Sequence, residues 1–138
     1  MDEVLKVKIE YAKYRIERSK EDLDAAIVMF EGNHYRVANN RSYYSIFHAM
    51  RAVLAFDGYD SKKHSGIIAE FRKSYIKTGI FNENLSSIIG QASEIRNASD
   101  YDDMFIASKE ETEKQIEDAE LFYDVIKKHI DEKVSYTN

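Results

Sequence analysis

The stretch LKVKIEYAKYRIERSKEDLDAAIVMF, residues 5–30, decides the fold of this chain. Its apolar and small residues follow one another in steps of four and three, in the order Leu5, Ile9, Ala12, Ile16, Ser19, Leu23, Ala26 and Phe30. Such a spacing places one stripe of side chains along one face of a helix, where it packs against neighbouring helices. The stretch therefore predicts a long bundle helix that ends at Gly32.

The next two helices follow directly along the chain. Asn33 is a suitable cap for a second helix that runs to about Asp57, where a polar, glycine-containing segment ends it. This helix is apolar almost all round, so we expect it to be the central helix of the fold. A third, shorter helix is predicted over about residues 63–77, with apolar residues facing the core.

Two more helices complete the predicted fold. Asn82 caps a fourth helix that runs to about Tyr101, and Ser108 with Glu111 forms a capping box for a fifth. The core-facing residues of the fifth helix are Thr112, Ile116, Ala119, Tyr123, Ile126 and Ile130. Because short connections make long helices antiparallel neighbours, we predict an all-α, antiparallel up-and-down four-helix bundle with an additional short helix.

The composition narrows the class of protein. At 138 residues the chain suits one domain, and we predict a single helical domain over residues 1–138. The absence of cysteine excludes thiol catalysis and thiolate metal ligation, and it fits a reducing compartment. No signal-peptide pattern and no apolar run approaching about 18 residues is present. We therefore expect a cytoplasmic protein without a membrane span.

The net charge of −5 is unevenly distributed. Residues 33–78 carry eight Lys or Arg and three Asp or Glu, a net charge of +5, so the remainder carries −10. A local cationic surface of this kind suits an anionic ligand, although the net charge would not attract the whole molecule to nucleic acid.

Four polar residues of the second helix share one face. They are Arg41, Tyr44, His48 and Arg51, and they lie within an arc of roughly 80°. One interpretation is a helix edge, where long side chains reach solvent and Tyr and His form internal hydrogen bonds. The other is a phosphate site, in which the arginines hold the anion and His48, with a pKa near about 6.5, moves protons.

The fourth helix also carries polar residues toward the core. Arg96, Ser99 and Asp100 fall on or beside its apolar stripe, which consists of Leu85, Ile88, Ile89, Ala92 and Ile95. Arg96 and Asp100 form either a surface pair or part of a site, because burying them unpaired would cost several kcal/mol. His64 either caps the third helix or contacts phosphate. No phosphate loop or metal-ligand spacing is present, so we expect no metal and no cofactor.

Four separated segments carry motifs that occur together in a known family. They are NNRSYYSIFHAMRAVL (39–54), KKHSGII (62–68), FRKSYIKTG (71–79) and RNASDYDD (96–103). In this order they resemble the HEPN domain family, in the subgroup with NRxYYxxFHA and RxxxDY elements. The resemblance implies a helical bundle that forms a homodimer. It also implies a prokaryotic protein often encoded beside a minimal nucleotidyltransferase, as a toxin and antitoxin pair.

The same resemblance bears on catalysis. Active members of the family are metal-independent ribonucleases whose signature is Arg, four to six residues, then His. Here Arg96 and Asn97 match the start of the signature, but Tyr101, Asp102 and Asp103 stand where the His is permitted. An aspartate or tyrosine is a poor substitute for an imidazole that exchanges a proton near neutral pH. We therefore predict a nucleotide-binding, RNA-binding or regulatory protein.

The predicted site has a binding part and a catalytic part. The binding residues are Arg41, Tyr44, Arg51, His64, Asn97, Asp100 and Tyr101, and the catalytic candidates are His48 and Arg96. One alternative is a ribonuclease toxin in which His48 replaces the missing histidine and works with Arg41 and Arg96. Another is a structural helical adaptor. We expect a homodimer through the polar stripe, because a single bundle offers these charges few partners.

Overall fold

The computed structural model describes residues 2–137, and every element in that range is helical. In chain order the elements are α1 (Glu3–Glu31), α2 (Tyr35–Phe56), α3 (His64–Phe71), a π-helical turn (Arg72–Ile76), α4 (Asn84–Tyr101) and α5 (Lys109–Thr137). The helix α2 packs against each of the other four. The predicted all-α bundle with an additional short helix, and the central position of α2, are confirmed. No helix within residues 2–137 is both long and apolar enough to cross a membrane.

Side-chain contacts give the direction of neighbouring helices. Ser19 of α1 donates a hydrogen bond to the carbonyl oxygen of Ser45 in α2 at 2.6 Å. About one turn later in α1, Asp22 accepts a hydrogen bond from Arg41, which lies about one turn earlier in α2. The residue numbers thus run in opposite senses, and α1 is antiparallel to α2. The helix α4 is antiparallel to α2 as well. Arg36, early in α2, bonds to Ser99, whereas Tyr44, later in α2, bonds to Arg96, which comes earlier in α4.

Buried apolar residues of all the helices form one continuous core. The α1 stripe is buried from Ile9 to Ala26, as predicted, and Ile16, Leu23 and Ala26 belong to this core. In α5, however, the fully buried aromatic residue is Phe122, whereas Tyr123 is only partly buried. Steps of four and three through Gln115, Ala119 and Phe122 are as regular as the predicted series, so spacing alone does not choose between adjacent positions.

The connection between α1 and α2 differs from the prediction. Asn33 has a φ of 64°, in the left-handed region, and lies just after the C-terminus of α1. Its N–H donates to the carbonyl of Phe30 at 3.0 Å, and the N–H of His34 donates to that of Met29 at 2.8 Å. These bonds form a Schellman motif, in which asparagine tolerates the left-handed conformation. Asn33 therefore ends α1, and its predicted role as the cap of α2 is wrong.

Ser108 caps α5 as predicted, whereas the residue directly before α4 is Glu83, so Asn82 lies one residue earlier than a cap. The side-chain oxygen of Asn82 accepts a hydrogen bond from the N–H of Asn84 at 2.9 Å, at the start of α4. The hydroxyl of Ser108 accepts one from the N–H of Glu111 at 3.1 Å, just before α5. Each bond satisfies a donor that the first helical turn leaves free.

The third predicted helix contains an irregularity. After α3, the N–H of Lys77 donates to the carbonyl of Arg72, five residues earlier, at 2.8 Å. This π-helical turn is followed by Phe81, which packs against the core with Tyr75. The Tyr75 hydroxyl also donates a hydrogen bond to Asp57, at the end of α2, so the turn is held against the central helix.

Candidate functional site

Three of the predicted site residues lie around the ring of Tyr44. The guanidinium of Arg41 lies 5.1 Å from the centre of that ring, and the guanidinium of Arg96 lies 5.4 Å from it. Arg96 also donates a hydrogen bond to the Tyr44 hydroxyl at 3.1 Å. The ring of His48, one turn further along α2, lies 6.3 Å away. The fold thus brings α2 and α4 together at the residues that spacing alone had singled out.

The charges of this region are paired within the bundle. Arg41 donates to Asp22 of α1 at 2.9 Å and to the side-chain oxygen of Asn40 at 2.6 Å. Asn40 in turn donates to Asp100 at 2.9 Å, and Asp100 lies 3.0 Å from Arg96. The expectation that a single bundle offers few partners is therefore wrong for Arg41 and Arg96, whereas His48 has a buried ring nitrogen without one. The homodimer stays a prediction that rests on the family resemblance.

His48 is the most deeply placed member of the stripe, with only 8% of its surface exposed. Burial, together with the charges of four nearby arginines, lowers the pKa of His48 to about 4. Its Nε2 lies 3.7 Å from Asp22, and its Nδ1 is buried without a hydrogen-bond partner. Burial raises the pKa of Asp22 in turn. The expected pKa near 6.5 is wrong, and His48 is neutral at pH 7.

A surface groove of about 440 Å³ opens beside Arg96, between α2, α3 and α4. Its lining residues are Tyr43, Tyr44, His64, Ser65, Ile68, Ser93, Arg96 and Asn97. We call it the Arg96 groove. It combines aromatic rings, hydroxyl groups and one guanidinium, which are the groups that contact bases and phosphates in proteins that bind single strands.

His64 belongs to this groove and does not cap α3. Its Nδ1 lies 2.8 Å from the hydroxyl of Tyr43, and its ring stacks on Phe47 with 4.0 Å between the ring centres. Burial lowers the pKa of His64, and burial raises the pKa of Tyr43 to about 12. The imidazole is therefore fixed by a neutral phenol and is itself largely neutral at pH 7.

The remaining predicted residues lie at the two ends of the site. At one end, Tyr101 is 74% exposed, with its ring centre 5.6 Å from the Arg96 guanidinium. The side-chain oxygen of Asn97 accepts a hydrogen bond from Arg96 at 3.3 Å. At the other end, Arg51 donates to both carboxylate oxygens of Asp60 at 2.9 Å. Arg51 therefore belongs to a separate part of the surface.

Two residues that the sequence interpretation missed shape the site. Asp22 of α1 contacts both Arg41 and His48. Its position beside the apolar stripe of α1 is the sequence feature that could have indicated this role. Arg36 donates to the carbonyls of Ser99 at 2.8 Å and Asp102 at 3.0 Å, and also to that of Phe105. It thereby holds the chain after α4 in place. Its partners are main-chain atoms distant in sequence, so no side-chain pattern could indicate this role.

The site offers hydrogen-bond donors and aromatic faces. Within residues 2–137, no three His, Asp or Glu side chains lie close enough together to hold a metal ion. The guanidinium of Arg96 has five N–H donors in one plane, which matches the geometry of a phosphate. A phosphate could therefore bind at Arg96 while the ion pair with Asp100 persists.

A solved structure defines the class of fold. The crystal structure of ST0689, an archaeal HEPN homologue, matches this chain with a TM-score of 0.62 at 19% sequence identity. The match covers 86% of this chain and 97% of the other. The fold is therefore that of a HEPN helical bundle.

Sequence comparisons give the family. A model of the HEPN domain matches residues 12–130. The chain is 38% identical over 117 residues to the "Putative toxin MJ0605" of Methanocaldococcus jannaschii, covering 85% of this chain and 87% of that protein. It is 33% identical over 120 residues to a UPF0332 protein of Thermotoga maritima, covering 87% and 91%. This chain belongs to the HEPN domain family.

Proposed function

We propose that this protein is the RNA- or nucleotide-binding, toxin-like member of a prokaryotic toxin–antitoxin system, and that the Arg96 groove is its ligand site. The observation that carries the proposal is the Arg96 guanidinium in a groove lined by Tyr44 and His64. Aromatic rings stack on bases of any sequence, and a guanidinium binds phosphate through paired hydrogen bonds. The name of the Methanocaldococcus jannaschii relative supports the toxin part.

The proposed setting follows from the family resemblance. We propose a cytoplasmic homodimer whose partner is a minimal nucleotidyltransferase acting as antitoxin. Co-purification of this chain with the product of an adjacent nucleotidyltransferase gene would support that partner. Light scattering that gives a monomer at tens of micromolar would count against the homodimer.

Replacing Arg96 with alanine is expected to weaken binding of single-stranded RNA at least about tenfold at low salt, because one charge-assisted phosphate contact is lost. Fluorescence anisotropy with a labelled oligonucleotide measures the affinity. Arg96→Lys keeps the charge but loses the planar pair of donors, so its affinity should be intermediate.

Lys114→Ala is the matched control, since Lys114 lies on α5 outside the groove and pairs with Asp118 at 2.9 Å on the surface. Circular dichroism should give the same helical content for all the variants. Affinity that falls with rising salt would identify counterion release from phosphates. Equal affinity of the wild type and Arg96→Ala would remove the groove from the proposal.

A second candidate function is metal-independent cleavage of RNA, and the arrangement of the groove favours His64 for it over His48. His64 lines the same groove as Arg96, whereas His48 is nearly inaccessible. In this reaction neutral His64 would take the proton of a ribose 2′-hydroxyl, whose oxygen then bonds to the adjacent phosphorus. The bond to the 5′-oxygen breaks, that oxygen takes a proton from water, and Arg96 neutralises the extra charge on phosphorus.

If His64 is the general base, His64→Ala should lower metal-independent RNA cleavage by about 10²-fold, a larger loss than its effect on binding of the same RNA. Cleavage in the presence of chelator, followed on a gel, is the measurement. His34→Ala is the control, because His34 lies outside the groove. Cleavage abolished by His48→Ala but not by His64→Ala would return the role to His48. If neither the wild type nor any variant cleaves RNA above background, the protein binds RNA without cleaving it.

A further inference from the structure

A second cationic groove lies on the surface between α1, the end of α2 and the turn that follows it. It has a volume of about 370 Å³, and its polar and aromatic lining consists of Lys8, Tyr11, Arg15, Arg51, Tyr59 and Asp60. Three cations therefore face one carboxylate in a protein whose net charge is −5. We call it the Arg15 groove. Of its three cations, only Arg51 belongs to the motifs and to the predicted site.

Lys8 and Arg15 are the cations of this groove that form no ion pair within residues 2–137, and the charge of Arg15 interacts with both Arg51 and Asp60. No carboxylate within residues 2–137 lies at ion-pair distance from the Arg15 guanidinium, which lies 5.3 Å from the centre of the Tyr14 ring. Partial burial and the nearby Arg51 lower its pKa, whereas Arg51 itself is held by Asp60. An anion bound between the two arginines would relieve this repulsion.

Aromatic side chains accompany the cations. Tyr11 is 60% exposed at the edge of the groove, and Tyr59 lines it. The side chain of Lys8 lies across Gly58, whose φ of 81° is the left-handed conformation that glycine accepts freely. Cations interleaved with tyrosines form the kind of surface that tracks a phosphate backbone and stacks on bases.

The two grooves lie along one helix face. Tyr44 lines the Arg96 groove and Arg51 lines the Arg15 groove. They are seven residues apart on α2 and share the polar stripe, so they are separated by about 10 Å along the helix axis. A strand of a few nucleotides can therefore reach from one groove to the other, whereas a mononucleotide cannot.

We propose that the Arg15 groove is a second phosphate-binding subsite, which holds the backbone of a single-stranded RNA whose neighbouring nucleotides occupy the Arg96 groove. The inference rests on the proposed RNA binding and extends it, because it makes an oligonucleotide the ligand in preference to a mononucleotide. Charge complementarity and the two tyrosines favour RNA over an acidic protein surface, which would gain little from stacking rings.

The experiment compares two ligands across matched variants. Anisotropy titrations use a uridine oligonucleotide of about ten residues, within the site sizes known for single-strand binders, and calorimetry uses uridine monophosphate. Arg15→Ala should weaken oligonucleotide binding about three- to tenfold and leave the monophosphate affinity unchanged. The salt slope should fall by about 0.7, as expected for one lost contact with a single strand. Asp60→Asn should strengthen oligonucleotide binding, because it frees Arg51.

Lys13→Ala is the matched control, since Lys13 is on the same helix but lines a different cavity, between α1 and α5. It should bind the oligonucleotide as the wild type does. Equal effects of Arg15→Ala and Lys13→Ala, with Arg96→Ala still impairing binding, would overturn the second subsite while leaving the proposed function intact. Absence of binding by the wild type would overturn both. Loss of self-association in Arg15→Ala, with unchanged RNA affinity, would make the groove a subunit interface instead.

Discussion

At pH 4 the folded protein is expected to lose about 3 kcal/mol of stability relative to pH 7 through His48 alone. The pKa of this side chain is about 6.5 in the unfolded chain and about 4 in the folded one. Between these values the unfolded chain binds a proton that the folded protein does not. The contribution of His48 is therefore complete above about pH 6.5 and is lost as the pH falls toward 4.

The surroundings of His48 contain groups of both signs. Arg15 and Arg18 on α1, with Arg41 and Arg51 on α2, lower its pKa, and Asp22 faces it from α1. Because burial raises the pKa of Asp22, protonation of that carboxyl at low pH favours the folded state and has the opposite sign.

Urea unfolding between pH 4 and pH 7, for the wild type and for His48→Gln, isolates the contribution of His48. The wild type should lose about 3 kcal/mol more than the variant over this range, because the other titrating groups cancel in the difference. Parallel pH profiles of the two proteins would show that His48 is not held neutral by the fold.

Phe71→Ala is expected to reduce the free energy of unfolding by about 3–5 kcal/mol, the usual cost of removing a buried aromatic ring. Phe71 has no exposed surface, and its ring centre lies 5.7 Å from that of Tyr75, 5.9 Å from that of Phe81 and 5.6 Å from that of Phe122. Its removal would open a cavity where α3 and α5 meet.

The measurement is urea unfolding at neutral pH. Leu121→Ala is the control, because Leu121 is next to Phe122 but 44% exposed, and it should change the stability by less than about 0.5 kcal/mol. If Phe71→Ala loses as little stability as the control, the rings of Tyr75, Phe81 and Phe122 must move into the space left by Phe71. The RNA affinity of Phe71→Ala should be unchanged below its unfolding transition, since Phe71 lies outside both grooves.

Periodicity predicted the fold well because the outer helices bury one stripe each, and the nearly all-apolar pattern of α2 marked it as the central helix. The residues of the α1 stripe from Ile9 to Ala26 are buried as expected. The prediction was wrong where two adjacent positions fit the four-and-three spacing equally well, as Phe122 and Tyr123 do. It was also wrong where one residue type suits two structural roles. Asn33 is such a residue, because asparagine suits both the start of a helix and the left-handed position after one.

The candidate site was only partly predictable. The motifs supplied Tyr44 and Arg96, but the pairing of Arg41 with Asp22 depends on the relative register of α1 and α2, which no single-helix pattern contains. The low pKa of His48 likewise follows from its burial among several helices. Lys8 and Arg15 lie outside the basic segment 33–78, so the charge count could not reveal the groove that they form with Arg51.

The π-helical turn after α3 changes how the chain can be aligned. Ile76 follows Phe71 by five residues, and both are buried, although an α-helix would place them about 140° apart. The turn contains one residue more than an α-helical turn and lies at the C-terminal end of the helix. Relatives that lack the extra residue should align with a single gap between Arg72 and Ile76. Without that gap, every position from Ile76 to Phe81 would be compared with the wrong neighbour.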